Sequence, residues 1–473
     1  MLRLRQWSTL VVVFTFAVAV SSAADDQDAA AVGQDVADDN KVSYDGAQLF
    51  RVRVNKNTRK LLDKLDESGA AEKWRGNATE QDVMVRSERI DEVTQFLNSN
   101  NMTFEIIIDD IQRAIRSENP DEQNDRNKPR SRWTRDITYI LRSPNKVIWN
   151  VVLPSRKNWA RKRKPTFDRA YRLTWQRYHR LSDHMEFHDY LQKEFPNMVQ
   201  VVNIGTSVEG RQMRVLKISS GQPNAKAVWI DGGTHAREWI SPASVSYIVS
   251  EFVENRAAHG PYVAGVDLYV APFVNPDGYE YSHAVDRLWR KNRKAGGSGT
   301  CAGTDLNRNY GYKWGGAGSS RQPCKEIYAG NRAFSEPETA AISRFVLANK
   351  DKIKAYVTFH SYGQYILYPW GYDRKVPPDY ADLDRVGRKM ARAIQSAGGP
   401  SYTVGNSAAT LYAASGGADD WAKGAAGIKY TYTIELRDNG AYGFVLPAQF
   451  IEPTARDAMA AIKVIAEEVY NLP

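Results

Sequence analysis

Three stretches of this chain restrict its fold more than any other feature: "AKAVWIDGG" (Ala225–Gly233), "VDLYVAPFV" (Val266–Val274) and "IKAYVTFHS" (Ile353–Ser361). Each is apolar at consecutive rather than alternate positions, so a strand made from it is hydrophobic on both faces and needs cover on both. Helical stretches such as "SDHMEFHDYLQKEF" (Ser182–Phe195) come between strands of this kind. That alternation, sustained from about residue 167 to residue 473, predicts one α/β domain around a mostly parallel or mixed sheet with helices on both faces. Functional sites in such domains sit at the carboxyl ends of the strands.

The first 166 residues have a different character. Residues 1–23 give a basic start (Arg3, Arg5), an apolar run from Leu10 to Val20 and small residues near Ala23, the pattern of a cleavable secretory signal. Residues 24–40 are acidic and Ala-rich, a composition that favours disorder. Between 41 and 118, alternation from Leu49 to Val54 predicts a strand and the spacing of Leu61, Leu62 and Leu65 a helix. "DVMVRSERIDEVTQFLNSNNMTFEIIIDDIQRAI" then repeats strand, helix, strand, which together predict a small α+β unit. Asn77-Ala78-Thr79 and Asn101-Met102-Thr103 are glycosylation acceptors by pattern.

A formal charge of +9 raises the possibility of a nucleic-acid or heparin ligand. The stretch Arg126 to Arg172, however, holds 15 Lys/Arg against Asp136 and Asp168, so the remainder of the chain is net negative. The charge belongs to residues 119–166, an exposed connector ending in "RKRKP", which argues against a nucleic-acid partner. No later stretch is apolar for the length a membrane span requires, which predicts an exported chain without a membrane partner. Cys301 and Cys324 are the only cysteines, an even pair that bridges in an oxidising compartment; a thiolate metal site is the rival reading, without a C-x-x-C to support it.

The seven histidines can be weighed singly. His184 and His188 fall at i, i+4 on one helix, but "HMEFH" lacks the glutamate that H-E-x-x-H requires. His179, His259 and His283 have no sequence partners and read as surface or packing residues. His235 and His360 each follow directly on a buried strand, and Glu238 follows His235 by three. Two imidazoles and a carboxylate form a tripod suited to Zn²⁺ with an open fourth position. An H-x-x-E by itself is common, and Glu238 could equally be an acid favoured by the dipole of a following helix.

Downstream come "RLWRKNR" (Arg287–Arg293), "CAGTDLNRNYGYKW" (Cys301–Trp314), "LYAASGGADDWA" (Leu411–Ala422) and "YTYTIELRDNGAYGFVLP" (Tyr430–Pro447). With these motifs in this order, the chain resembles the pancreatic-type zinc carboxypeptidases, secreted as zymogens, and most closely the B type. The resemblance implies a mixed, mainly parallel eight-stranded sheet flanked by helices, preceded by a ferredoxin-like prosegment (residues 41–118) that caps the active-site cleft.

It also implies roles by motif. His235, Glu238 and His360 would hold one zinc, and Asp305 would orient the first histidine. Glu435 shares the strand face of Thr431 and Thr433 and would act as general base, taking a proton from water that the metal makes acidic. Arg290 would stabilise the oxyanion. Asn307, Arg308 and Tyr412 would clamp the substrate's terminal carboxylate, Arg suiting the task by its bidentate fork. Arg237 would contact substrate further out, Cys301–Cys324 would be the family's common disulfide, and Tyr412 lies on a Gly-rich stretch able to move.

Substrate choice turns on Asp419, the residue before "DW" in "GGADDW": a buried acid there calls for a cationic partner, and small Ser407 leaves room for a long side chain. The expectation is a secreted, monomeric zymogen, activated by a trypsin-like protease, that removes C-terminal Lys or Arg from peptides and proteins. A-type specificity follows if Asp419 turns outward and Asp420 only buttresses the loop. A catalytically silent binding protein, or a heparin-binding protein acting through the connector, are the rivals from other classes. The connector is longer and more basic than the family's pattern, which leaves the activation cut open among Arg161 to Lys164 and Arg169.

Overall fold

The computed structural model describes residues 41–120, 171–296 and 301–473. The signal segment, the acidic stretch, the connector and its cleavage positions lie outside the described residues. Residues 41–120 form β1 (Gln48–Arg53), α1 (Lys56–Glu67), β2 (Glu72–Gly76), β3 (Glu80–Val85), α2 (Ile90–Ser99), β4 (Phe104–Ile108) and α3 (Ile111–Glu118). The four strands make an antiparallel sheet in the order β2-β3-β1-β4. Sequence periodicity does not announce β2: "EKWRG" has one apolar residue, Trp74, and neither a period of two nor an apolar run.

From residue 181 the larger part runs α4 (Leu181–Glu194), β5 (Val199–Thr206), β6 (Gln212–Ile218), β7 (Ala227–Asp231), α5 (Ile240–Glu254), α6 (Pro261–Gly265), β8 (Asp267–Ala271), α7 (Pro276–Ala284) and α8 (Pro337–Ala348). It continues through β9 (Ile353–Ser361), β10 (Tyr365–Tyr368), α9 (Tyr380–Ser396), β11 (Thr403–Asn406), α10 (Ser407–Thr410), α11 (Ala418–Gly424), β12 (Tyr430–Leu436) and α12 (Ile451–Tyr470). Eight strands form one mixed sheet in the order β11-β10-β12-β9-β7-β8-β6-β5. Four of its pairings are parallel and three antiparallel, as the α/β expectation requires.

The doubly apolar strands are explained by two cores, one per face. Val228 and Ile230 of β7 join Val357 and Phe359 of β9 under α5, α9 and α12. Ala227 and Trp229 point the other way, with Tyr356, onto α8 and α11. Along β12 the same alternation sends Tyr430, Tyr432 and Ile434 into the first core, leaving Thr431, Thr433 and Glu435 on the opposite face. A third core fills the smaller unit between its sheet and α1 and α2. A fourth joins that sheet to the larger part: Leu49, Trp74, Met84, Ile108 and Ile111 pack with Leu288, Tyr362, Phe444 and Val445.

The histidines outside the strand ends are structural, and the reading that three of them lack partners is corrected. His179 sits 2.9 Å from Asp183 and accepts from Thr174 N–H. His259 lies 2.8 Å from Glu251, and the His283 ring stacks on Trp239 at 3.8 Å. The His283–Trp239 contact joins residues distant in sequence, which spacing does not reveal, whereas His179 and Asp183 stand at i, i+4. His184 lies 2.9 Å from the Ser246 hydroxyl, and His188 is buried on the same helix. Among the described residues, no helix is long and apolar enough to cross a membrane. Cys301 and Cys324 form a disulfide.

Candidate active site

His235 stands four residues beyond β7, on a turn that needs its glycines. Gly233 has φ +64°, in the left-handed region that other residues avoid, and a Cβ there would lie 3.0 Å from Pro272 O. The Ser241 hydroxyl accepts from Gly233 N–H and donates to Phe359 O, tying the turn to the residue before His360. Parallel pairing of β9 and β12 sets His360 directly beside Glu435. The two strand ends thereby meet at one point, as the position of the two histidines predicts.

His235 Nδ1 lies 2.7 Å from Glu238 Oε1, His360 Nδ1 lies 3.0 Å from Glu238 Oε2, and the two Nδ1 atoms are 3.1 Å apart. All three side chains are buried. His235 Nε2 is 3.1 Å from Asp305 Oδ1, a carboxylate that can only accept, so Nε2 carries the proton and Nδ1 presents its lone pair. That lone pair faces a carboxylate oxygen and a second imidazole. A cation at this point satisfies all three, whereas one proton satisfies a single pair. Among the described residues this is the one set of three or more His, Cys, Asp or Glu side chains arranged to hold a metal ion.

Asp305 also accepts from Asn307 N–H and from the Arg290 guanidinium at 2.8 Å. Burial pushes its pKa up, but Arg290, His235 and Arg308 outweigh that and hold it well below the usual carboxylate range. Glu435 has the opposite balance. Burial, with Glu238 adding to it against His360 and Arg290, pushes its carboxyl up to about 7.

One cavity collects His235, Glu238, His360, Arg290, Asn307, Arg308, Ser407, Tyr412, Asp419 and Glu435. Arg308 is steadied by Gly318 O at 2.8 Å and Asn307 O at 2.9 Å. The Asn307 side-chain oxygen accepts from Ala418 N–H, the first residue of α11, and so couples this segment to the loop bearing Asp419. Gly416 of that loop has φ +80°, and a Cβ there would sit 2.3 Å from Arg308 O, which accounts for one glycine of "GGADDW". Tyr412 is 43% exposed.

The two adjacent aspartates separate cleanly. Asp420 accepts from Gly371 N–H at 2.8 Å and Tyr372 N–H at 2.9 Å, bracing the opposite wall. Asp419 lines the cavity with Ser407, Leu367, Gly371 and Thr433. Burial raises its pKa, eased in part by the backbone N–H of Asp420, by the Thr433 hydroxyl and by His360.

Arg237 is the exception. It is buried outside the cavity lining, donates to Glu72 of β2 and lies 4.2 Å from the centre of the Phe444 ring. Sequence reasoning also passes over the residues that close the cavity. Trp74, Arg75 and Gly76 of β2 form part of its wall. The Trp74 ring is 4.8 Å from that of Phe444, and Arg75 donates to Tyr365 Oη at 3.0 Å and Asn439 O at 2.9 Å. Asp82 of β3, held by Arg51, accepts from Tyr362 Oη–H at 2.9 Å. The available signal was a charged and aromatic "EKWR" amid an otherwise conventional α+β pattern.

Comparison with known proteins agrees with this geometry. Residues 184–461 match the family model described as zinc carboxypeptidase, and residues 50–118 match that of the carboxypeptidase activation peptide. Carboxypeptidase B of Astacus astacus is 45% identical over 298 residues, covering 63% of this chain and 98% of that protein. Carboxypeptidase B of Rattus norvegicus is 34% identical over 90% of this chain and 94% of its own, and carboxypeptidase A1 of Bos taurus 35% over 84% and 87%. Among solved structures, thrombin activatable fibrinolysis inhibitor superposes with TM-score 0.75 at 31% identity, covering 90% of this chain and 99% of that one. Carboxypeptidase A of Helicoverpa armigera gives 0.75 at 28%, covering 90% and 98%. The zinc carboxypeptidase model spans more than half of the chain and contains the His-Glu-His group positioned to hold a metal, and the unit before it matches the activation peptide, so the chain belongs to the zinc carboxypeptidase family.

Proposed function

We propose that this chain is the precursor of a secreted B-type carboxypeptidase, which removes Lys or Arg from the C-termini of peptides and proteins. Residues 1–23 are the signal, 41–118 the prosegment, 119–166 the connector and 167–473 the catalytic part, released as a monomer by a trypsin-like protease. The observation that carries the specificity is Asp419: a buried carboxylate that lines the cavity, while its neighbour Asp420 is turned away onto the backbone N–H groups of Gly371 and Tyr372. Burying an ionised acid is costly, and a substrate ammonium or guanidinium in the cavity would offset that cost with a counter-charge.

His235, Glu238 and His360 would hold the zinc. When bound, it supplies Lewis acidity, polarising the scissile carbonyl and making water acidic enough to lose a proton near neutral pH. Glu435 takes that proton and returns it to the departing amine, a dual task suited to a carboxyl whose pKa burial raises. Arg290 faces the oxygen on which negative charge develops. The Arg308 fork and Asn307 bind the terminal carboxylate, the feature that separates a C-terminal residue from an internal one. Tyr412 closes over the bound residue and excludes water.

The test treats the purified precursor with trypsin and measures release of C-terminal Arg, Lys, Phe and Leu from blocked dipeptides, with and without a zinc chelator. Arg and Lys should be released, and the chelator should abolish release. Chelator-insensitive activity would refute the metal assignment, and faster release of Phe or Leu would refute the role of Asp419.

A further inference from the structure

The chain contains two N-x-S/T sequons, at Asn77 and Asn101, and both fall within the stretch that matches the activation peptide. Their surroundings are opposite in kind.

At Asn77, local structure accounts for both the Asn and the Thr. The Asn77 side-chain oxygen accepts from Thr79 N–H, Thr79 Oγ1–H and Glu80 N–H, closing the β2–β3 hairpin as an Asx turn. Its amide nitrogen lies 3.4 Å from Tyr365 Oη, beside Arg75 at the edge of the cavity. A sugar on that nitrogen would have to occupy the space held by Tyr365.

Asn101 ends α2. It has φ +51°, and the bonds Met102 N–H to Leu97 O and Asn101 N–H to Asn98 O are those of a Schellman cap, with Met102 and Leu97 packed together in the third core. Capping accounts for an Asn here, because the left-handed residue is commonly Gly or Asn. It does not account for Thr103. That side chain is exposed, and among the described residues no hydrogen bond to its hydroxyl is present. Asn101 is exposed as well, on the side of the sheet that carries α1 and α2, whereas the sheet's other face docks on the catalytic part.

We infer that Asn101 is an N-glycosylation site and that the latent precursor carries its glycan there and not on Asn77. In the transfer, Asn101 Nδ2 attacks the anomeric carbon of a polyprenyl-diphosphate-linked oligosaccharide. A C–N bond forms, the sugar–phosphate C–O bond breaks, the diphosphate leaves and the amide gives up one proton. The glycan projects into solvent from the removable part, so activation discards it and the mature enzyme is bare. The inference rests on the secretory reading, since the donor lipid belongs to that route.

The experiment expresses the full chain in a eukaryotic secretory cell line and maps both sequons by treatment with a peptide N-glycosidase, which converts each glycosylated Asn to ¹⁸O-labelled Asp in ¹⁸O water, and peptide mass spectrometry. Asn101 should be occupied and Asn77 bare in the trypsin-activatable fraction. Trypsin should move the whole mass that the peptide N-glycosidase removes to the released fragment. Thr103→Ala, which keeps Asn101 in its cap, should remove that mass with no change in activation, while Thr79→Ala should leave it in place. Chain found in the medium with Asn101 bare overturns the inference and leaves the secretory reading standing. Chain confined to the cytosol overturns both. Occupied Asn77 in the latent fraction overturns the distinction between the sites.

Discussion

Single side chains divide the chemistry here. Glu435 is buried with its carboxyl pushed up to about 7, and it must be ionised to accept a proton. Activity therefore falls as pH drops through its pKa; a bound dication beside it lowers that value, so the acid limb of kcat/KM in the zinc enzyme is expected below 7. Glu435→Gln should lower kcat by roughly 10²–10⁴-fold, the range of general-base loss, with zinc content unchanged by atomic absorption. Asp419 makes a second, independent pH prediction. Burial raises its pKa, and only its ionised form attracts a cation. Lowering pH should thus erode the preference for Arg over Phe, read as a rise in KM for the Arg substrate alone. Asp419→Ile should move preference toward apolar residues at full zinc content. These residue types were legible at strand ends and in motifs. Whether Asp419 or Asp420 enters the cavity was not, because both sit in the first turn of α11 and only the backbone of Gly371 and Tyr372 selects between them.

At the scale of elements, β2 has the largest consequence for a strand with so weak a pattern. It brings Glu72 to Arg237, Trp74 to Phe444 and Arg75 to Tyr365, so the arginine expected to touch substrate is occupied in the precursor. Trp74 is 6% exposed, and truncating a side chain so buried costs about 3–5 kcal/mol. Trp74→Ala should therefore give an uncleaved precursor with measurable peptidase activity, whereas intact Trp74 should keep it silent. The central strands β7, β8 and β9 were readable because burial on both faces leaves an unbroken apolar run. β2 was not, since Glu72, Trp74 and Arg75 meet side chains from the other part of the chain, which impose no local period.

Across the whole molecule, the two parts are joined at both ends of the smaller sheet. At the carboxyl end of α3, Glu118 is buried against Arg287, whose guanidinium also donates to Arg237 O and Phe444 O and lies 3.7 Å from the centre of the Trp239 ring. Asn119 exchanges two hydrogen bonds with the backbone of Tyr178. Removing one partner of a buried ion pair costs about 3–5 kcal/mol. Glu118→Ala should therefore release the prosegment faster once the connector is cut, seen as a shorter lag before full activity and earlier separation on gel filtration.

By itself, the sequence determined the α/β class, the metal-binding residue types near two strand ends and the family. Each depends on local period or on motifs whose spacing is carried along the chain. Only the tertiary structure decided that three buried acceptors converge on one point, that Asp419 rather than Asp420 faces the cavity, that Arg237 is taken by Glu72, and that one sequon faces solvent while the other lies against Tyr365. Those outcomes are set by contacts between residues tens to hundreds of positions apart, and no period in a linear sequence encodes which distant surface a side chain will meet.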